Sequence, residues 1–418
     1  MEKIKIINIV PHPPAYDFYA ETPPPPITWN IGENQWVGIW NNEWADLIGN
    51  EILKLTDEFV YEVWQPDPRA DKIYSCTYAN GLTHKLFPTK LHRKRVGIKM
   101  IEEIKSPVIY QRLWYEIKEN PIILHLNDLG FRINQNIVNS IPNEVPVLVQ
   151  FLGENNFSFL PLLKFRKDLV SQIYEWKNFY RIKRLLLRAD AIGYCNYKTY
   201  NSLRRYFTGK MTFLPIGIDC DFWKSVYPRK IAKQFLGLND ARFILFTSAR
   251  LISLKRIDRV IKILERLANN FDFQYIVAGI GEPNYVKYLF QIGENLIANG
   301  RLKFTGYLSD ELLRTYYNAA DLFVSPSATE GMPVTVLKAL AMEVPVLSTK
   351  TGLLSDLLLR HNCGVVAPIE TWADIFKKIF AGMEIRKLNR QIVVSLFNWP
   401  AIARRYIKLY RRLGEKEK

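Results

Sequence analysis

The stretch at residues 325–352, SPSATEGMPVTVLKALAMEVPVLSTKTG, constrains the fold more tightly than any other part of the chain. Residues 322–325 are a short apolar run closed by Pro326, which reads as the end of a buried strand, and residues 327–331 have loop composition. Proline suits a first helical position, so the next helix is expected to start at Pro333. Val334, Leu337, Leu340 and Ala341 recur at helical spacing and give that helix a face to pack on a sheet. Residues 344–348 are the following strand. The order strand, loop, helix, strand puts Glu330 and the helix's free N–H groups at the carboxyl edge of a parallel sheet, where open α/β sheets bind ligands. On this segment alone, an ordinary crossover whose loop holds a glutamate reads the same way.

Glu330, Gly331, Met332 and Pro333, followed by a helix, an apolar strand and Gly352, resemble the donor-site signature of the retaining glycosyltransferases of the GT-B fold, glycosyltransferase family 4. The resemblance implies an α/β chain of two Rossmann-like doubly wound domains facing across a cleft. It implies that Glu330 is the catalytic carboxylate beside the donor sugar, with backbone N–H groups of Gly331 and Met332 adding donors. Pro333 has no N–H to give. The family pattern carries a second glutamate eight positions after the first, which accepts hydrogen bonds from the donor ribose. Lys338 stands in that place, and an ammonium group only donates. Either the nucleotide is held differently, or Lys338 binds a phosphate, or catalysis has been lost.

A chain of 418 residues exceeds one ordinary core and suits two α/β domains. The expected divisions are an acceptor-side domain at 1–217, a nucleotide-sugar donor domain at 218–396, and a closing helix at 397–418 that returns to the first domain. The longest apolar runs fall far short of a membrane span, and the opening ten residues are too charged and short for a secretory signal, so a cytoplasmic protein is expected. Cys76, Cys195, Cys220 and Cys363 are scattered, with no pair or histidine cluster to indicate a disulfide framework or a zinc site. A net charge of +16 calls for nucleic acid, anionic lipid or anionic substrates. Without zinc-finger spacing, an RNA-recognition signature or a basic region joined to heptads, nucleic acid is disfavoured.

Residues 4–10 read as a buried first strand. Residues 12–26 are proline-rich, and Trp29, Gly32, Trp36, Gly38, Trp40 and Trp44 follow. The family places a glycine nest for the donor phosphate after this strand, a place open to Gly32 or Gly38. The tryptophans either pack the loop or stack on a sugar. Trp44, Leu47, Ile48, Ile52 and Leu55 keep one helical face. Further strands are expected at 59–64, 73–79, 122–126, 145–151, 189–195 and 212–214. The basic run KLHRKRVGIK at 90–99 reads as a solvated loop or as a contact for lipid headgroups or a phosphorylated acceptor. The family's sugar-facing histidine aligns with Leu152; His125, Glu154 and Asn155 are the acceptor-side candidates, while a lone histidine at a strand end such as His125 also reads as structural. Residues 157–188 mix aromatic and basic side chains, the composition of an interfacial helix or of a packing helix with solvated cations.

Pro215 to Asp219 resembles the family's interdomain turn, and Asp219 with Asp221, a D-x-D in that turn, is not read as a metal site. In the second domain strands are expected at 243–248, 273–278 and 302–304, with a helix at 257–267. Gly279 and Gly281 make an incomplete dinucleotide fingerprint. Arg250 and Lys255 match the family's arginine and lysine on the donor pyrophosphate. A guanidinium fork and a compact ammonium neutralise a leaving diphosphate without a metal. The expectation is a metal-independent retaining transferase with no cofactor beyond its nucleotide-sugar co-substrate. Its partners are a glycan or lipid-linked acceptor and, peripherally, the anionic inner membrane face. Leu152 and Lys338 together motivate an alternative, a catalytically silent partner or sugar-binding subunit. A nucleotide-sugar epimerase is a third reading.

Overall fold

The computed structural model describes residues 3–10, 28–31, 34–37, 43–67, 70–97, 99–153 and 169–415. They form two units: one holds the first strand, Pro25–Gly217 and Trp399–Lys418, the other Ile218–Asn398.

The first unit is built on an eight-stranded sheet. Its order is Lys210–Phe213, Ala191–Tyr194, Val147–Phe151, Ile122–Asn127, Ile4–Ile9, Phe59–Asp67, Thr83–Pro88 and Tyr74–Thr77. Every pairing is parallel except the last, where Tyr74–Thr77 runs antiparallel along the edge. Central strands such as Ile122–Asn127 and Val147–Phe151 are buried at every position, as parallel strands covered on both faces must be. One face is covered by the helices Pro107–Glu119, Arg132–Ser140 and Leu169–Leu186, which share a core cluster. On the other lies the C-terminal helix Trp399–Gly414, with Pro400 in its first turn. It buries Ile402, Tyr406, Leu409, Tyr410 and Leu413 against Ile6, Tyr61, Ile123 and Leu148. Each such side chain contributes roughly 1.5–3 kcal/mol.

This helix also inserts hydroxyls into the core. The Tyr410 hydroxyl meets His125 Nδ1 at 2.9 Å, His125 Nε2 meets Gln150 Oε1 at 2.8 Å, and Tyr406 donates to that oxygen at 2.7 Å. His125 is fully buried, so it is a core residue holding the helix down and drops out of the acceptor-side candidates. The basic run is not a loop: Lys90–Val96 pairs antiparallel with Lys99–Lys105 as a separate hairpin. Thr28–Ile31 and Asn34–Val37 form another, with Trp29 opposite Trp36. Gly32, Gly38, Trp40 and the proline-rich run lie outside the described residues. In the first helix, Glu43–Leu55, Ile48 and Ile52 are buried, whereas Leu47 and Leu55 face solvent.

The second unit carries a six-stranded all-parallel sheet in the order Leu302–Gly306, Phe273–Ala278, Phe243–Ser248, Leu322–Ser325, Val346–Ser348 and Val365–Val366. Counted along the chain this is 3-2-1-4-5-6, the doubly wound order whose direction reverses between its first and fourth strands. Gly279 and Gly281 serve its backbone. A Cβ on Gly279, at φ +135°, would lie 1.9 Å from the Ala249 carbonyl oxygen, and one on Gly281 2.0 Å from that of Leu251. No other residue allows the chain leaving Phe273–Ala278 to pass so close to the chain leaving Phe243–Ser248.

Two outcomes follow. Burial lowers the pKa of His125 to about 3, from 6.5 when unfolded. Between those values the unfolded chain binds the extra proton, so stability rises with pH and levels off above about 6.5. Urea unfolding at pH 5 and 6.5 should show wild type losing up to about 1.4 kcal/mol per pH unit more than His125→Gln. Glu58, which Arg411 holds at about 2, is ionised throughout that window. Gly279→Ala should cost more than the roughly 1–3 kcal/mol of backbone strain alone in the same measurement, because its Cβ also meets the Ala249 carbonyl.

Candidate active site

Strands Phe243–Ser248 and Leu322–Ser325 are hydrogen-bonded neighbours, with Leu245 opposite Leu322 and Phe246 opposite Phe323. They are the two strands between which the order reverses, the place where open α/β sheets bind ligands. The first loop carries Arg250 and Lys255, the second Glu330. The backbone binds the loops together, the Ala328 N–H donating to the Leu254 carbonyl at 2.8 Å. Lys255 Nζ donates to Glu330 Oε1, which also accepts from Ser327 Oγ at 2.6 Å. The two charged side chains are only 17% and 13% exposed, so the attraction between them is weakly screened.

Each loop is fixed from behind. Lys255 ends the short 3-10 turn Ser253–Lys255, and Arg256 takes a left-handed φ of 50° as the chain turns into the helix Ile257–Leu267. The Ala249 and Leu251 N–H groups donate to Ala278 at 3.0 Å and Ile280 at 2.8 Å, and Glu282 N–H returns to Leu251 at 3.0 Å. The side chain of Arg250 is exposed from this pinned backbone. Behind the second loop, Thr349 Oγ1 donates to the Ser327 carbonyl at 2.6 Å. Gly352, at φ +64°, is so close to the Glu330 and Gly331 carbonyls that a Cβ would lie 2.8 and 2.9 Å away. Pro333 is the cap before the helix Val334–Ala341 and not its first residue, and Met332 is buried.

Lys338 is committed elsewhere. Its ammonium lies 4.0 Å from the centroid of the buried Trp223 ring and 3.1 Å from Asp310 Oδ1. Asp310 opens the helix Asp310–Ala319 at the same sheet edge, and its side chain is 61% exposed. Asp219 Oδ1 accepts from the N–H groups of Asp221 at 2.8 Å and Phe222 at 2.9 Å, so it closes the turn leading to Trp223. Leu152 presents its carbonyl to Cys195 Sγ at 3.0 Å, at the carboxyl end of Val147–Phe151. Glu154 and Asn155 lie outside the described residues. Sequence reading missed Ser327, Trp223, Asp310 and the part played by Gly352. Only Ser327, three residues before Glu330, and Gly352, at a strand-to-helix turn, left a local signal.

Residues 228–394, nearly all of the second unit, match the family model described as glycosyl transferases group 1. A glycogen synthase of Synechocystis is 25% identical over 242 residues, 50% of each chain. An alpha-galactosylglucosyldiacylglycerol synthase of Streptococcus pneumoniae is 29% identical over 147 residues, 33% of this chain and 37% of that one. The chain spans about half the length of the first curated relatives it matches. A solved structure of Anabaena HepE in complex with UDP superposes with a TM-score of 0.66, covering 98% of this chain and 100% of that one at 16% identity. Residues 228–394 thus match the group 1 glycosyltransferase family model, on a chain of two parallel-sheet Rossmann-like units of the GT-B kind.

Proposed function

We propose that the chain transfers a sugar from a nucleotide-diphosphate donor to a glycan or lipid-linked acceptor, with retention at the anomeric carbon and without a metal. The observation that carries this reading is the Lys255–Glu330 pair at the switch point of a doubly wound sheet, with Arg250 five residues before Lys255 on the same loop. In the ligand-free site each charge neutralises the other. A donor diphosphate brings Lys255 a second anion, and the exposed Arg250 adds a fork for its oxygens. Glu330 is then released to accept a sugar hydroxyl and to stabilise positive charge developing at the anomeric carbon. As the C–O bond to the diphosphate breaks, the electron pair leaves with the phosphate oxygen. Lys255 and Arg250 meet that charge.

The names of the relatives include both a glucan synthase and a diacylglycerol glycolipid synthase, and the superposed HepE structure holds UDP. They support a nucleotide-sugar donor and leave both acceptor classes in the reading. Peripheral contact with an anionic membrane belongs to its lipid-linked branch. The silent-subunit alternative rests on Leu152 and Lys338.

Glu330→Gln should lower kcat by about 10²- to 10³-fold with nucleotide affinity changed far less, whereas Lys255→Met should weaken donor binding itself. Wild-type turnover should survive a chelator, and the product's anomeric proton should report retention by NMR. Absence of transfer or hydrolysis from every nucleotide sugar tried would sink the enzymatic reading in favour of the silent subunit.

Lys338→Glu places a second carboxylate beside Asp310 and replaces a cation over the Trp223 ring. It should lower stability by roughly 1–2 kcal/mol and leave nucleotide binding no stronger, read by urea unfolding and by thermal shift with UDP. Tighter UDP binding in that variant would instead mean that Lys338 obstructs an inherited ribose site.

A further inference from the structure

Glu330 receives two hydrogen bonds on the same oxygen. Lys255 Nζ and Ser327 Oγ both donate to Oε1, the hydroxyl from 2.6 Å, and among the described residues no group donates to Oε2. The two donors differ in how they are held. Lys255 reaches across from a loop 75 residues away, and its ammonium, on a flexible four-carbon stem, is the charge that a diphosphate attracts. Ser327 lies three residues before Glu330 on the same loop and is only 3% exposed. A shell of buried hydroxyls and main chain fixes it. Thr349 Oγ1 donates to the Ser327 carbonyl at 2.6 Å, Thr349 N–H to the Ser325 carbonyl at 3.1 Å, and Ser348 Oγ to the Thr349 carbonyl at 2.9 Å. Ser325 and Ser348 face each other on paired strands, so Ser327 is tied to the sheet itself.

The last torsion of a glutamate side chain is broad and nearly two-fold, so packing alone does not choose which oxygen faces a ligand. Two donors on Oε1 make that choice here. A carboxylate this far removed from water also needs a donor at all times, including when its cation is drawn away. We propose that Ser327 is the positioning residue for Glu330. When a donor diphosphate draws Lys255 Nζ from Oε1, Ser327 Oγ stays on that oxygen. It keeps the carboxylate from following the ammonium and leaves Oε2 to meet the sugar. Thr349, from the next strand's end, holds Ser327 in place. The inference rests on the proposed function and deepens it, because it assigns the group that orients Glu330 once donor is bound.

The experiment combines steady-state kinetics on a nucleotide sugar with thermal shift by UDP. Ser327→Ala should lower kcat roughly 10- to 100-fold, the range that one hydrogen bond to a charged acceptor is worth. Its KM for the donor, its melting temperature and its UDP shift should stay close to wild type, since Lys255 still meets the diphosphate. Thr349→Val should lower kcat in the same direction by less. Ser327→Ala added to Glu330→Gln should cost nothing further, because Ser327 acts only through the carboxylate. Three results overturn the proposal: wild-type kcat in Ser327→Ala, loss of the UDP shift together with kcat in that variant, or an effect of Ser327→Ala that adds fully to that of Glu330→Gln. Each leaves the proposed function standing. Absence of transfer or hydrolysis by wild type sinks that function and the role of Ser327 with it.

Discussion

The pairing of Lys255 with Glu330 is the constraint around which the second unit is arranged. Two opposite charges, each mostly removed from water, sit on loops that share no sequence neighbourhood and are 75 residues apart. Desolvating either alone would be costly, so whatever places one must place the other. The sheet order does this by making Phe243–Ser248 and Leu322–Ser325 neighbours. The backbone then sets the fine position, through Leu254 to Ala328, through the glycine contacts at 279 and 281, and through Gly352 against the Glu330 carbonyl. A pair of charges positioned by main chain varies little with side-chain fluctuation.

What could be read from the sequence divides along a physical line. Strands 243–248 and 273–278 are apolar runs with nothing else to become, and their spacing to the intervening helix leaves little choice of topology. The loop residues Arg250, Lys255 and Glu330 could be singled out as candidates because a family pattern fixes their offsets from those strands. The contact between Lys255 and Glu330 was not legible as a contact, since strand order is a tertiary fact. His125 was left between a structural and an acceptor-side reading for a related reason. A histidine at a strand end looks the same whether solvent or a helix from the far end of the chain covers it. Here Tyr406 and Tyr410 arrive from more than 250 residues away to satisfy the histidine and its neighbour Gln150. The basic run at 90–99 failed as a loop because strand pairing in a hairpin needs only backbone groups and tolerates exposed cations.

Lys338 shows how a departure from a pattern becomes intelligible once its neighbours are known. A lysine standing where a carboxylate was expected looks like damage when only its own helix is in view. In the fold it has an aromatic face beneath it and an acid beside it, Trp223 and Asp310, from two other elements. Cation–π attraction and an ion pair together favour the ammonium there, and a glutamate would meet the negative face of the ring and a like charge. The substitution therefore belongs to a set of three residues.

The match to the family model stops at the second unit, whereas the superposition on HepE covers nearly the whole chain. Both follow from what each unit has to conserve. The second unit carries residue types at fixed offsets on a few loops, and such a pattern is recognisable when most other positions differ. The first unit must keep only a twisted parallel sheet, two covered faces and a docking place for Trp399–Gly414. Many combinations of apolar residues satisfy that requirement. Its surface is therefore free to follow whatever the protein works on.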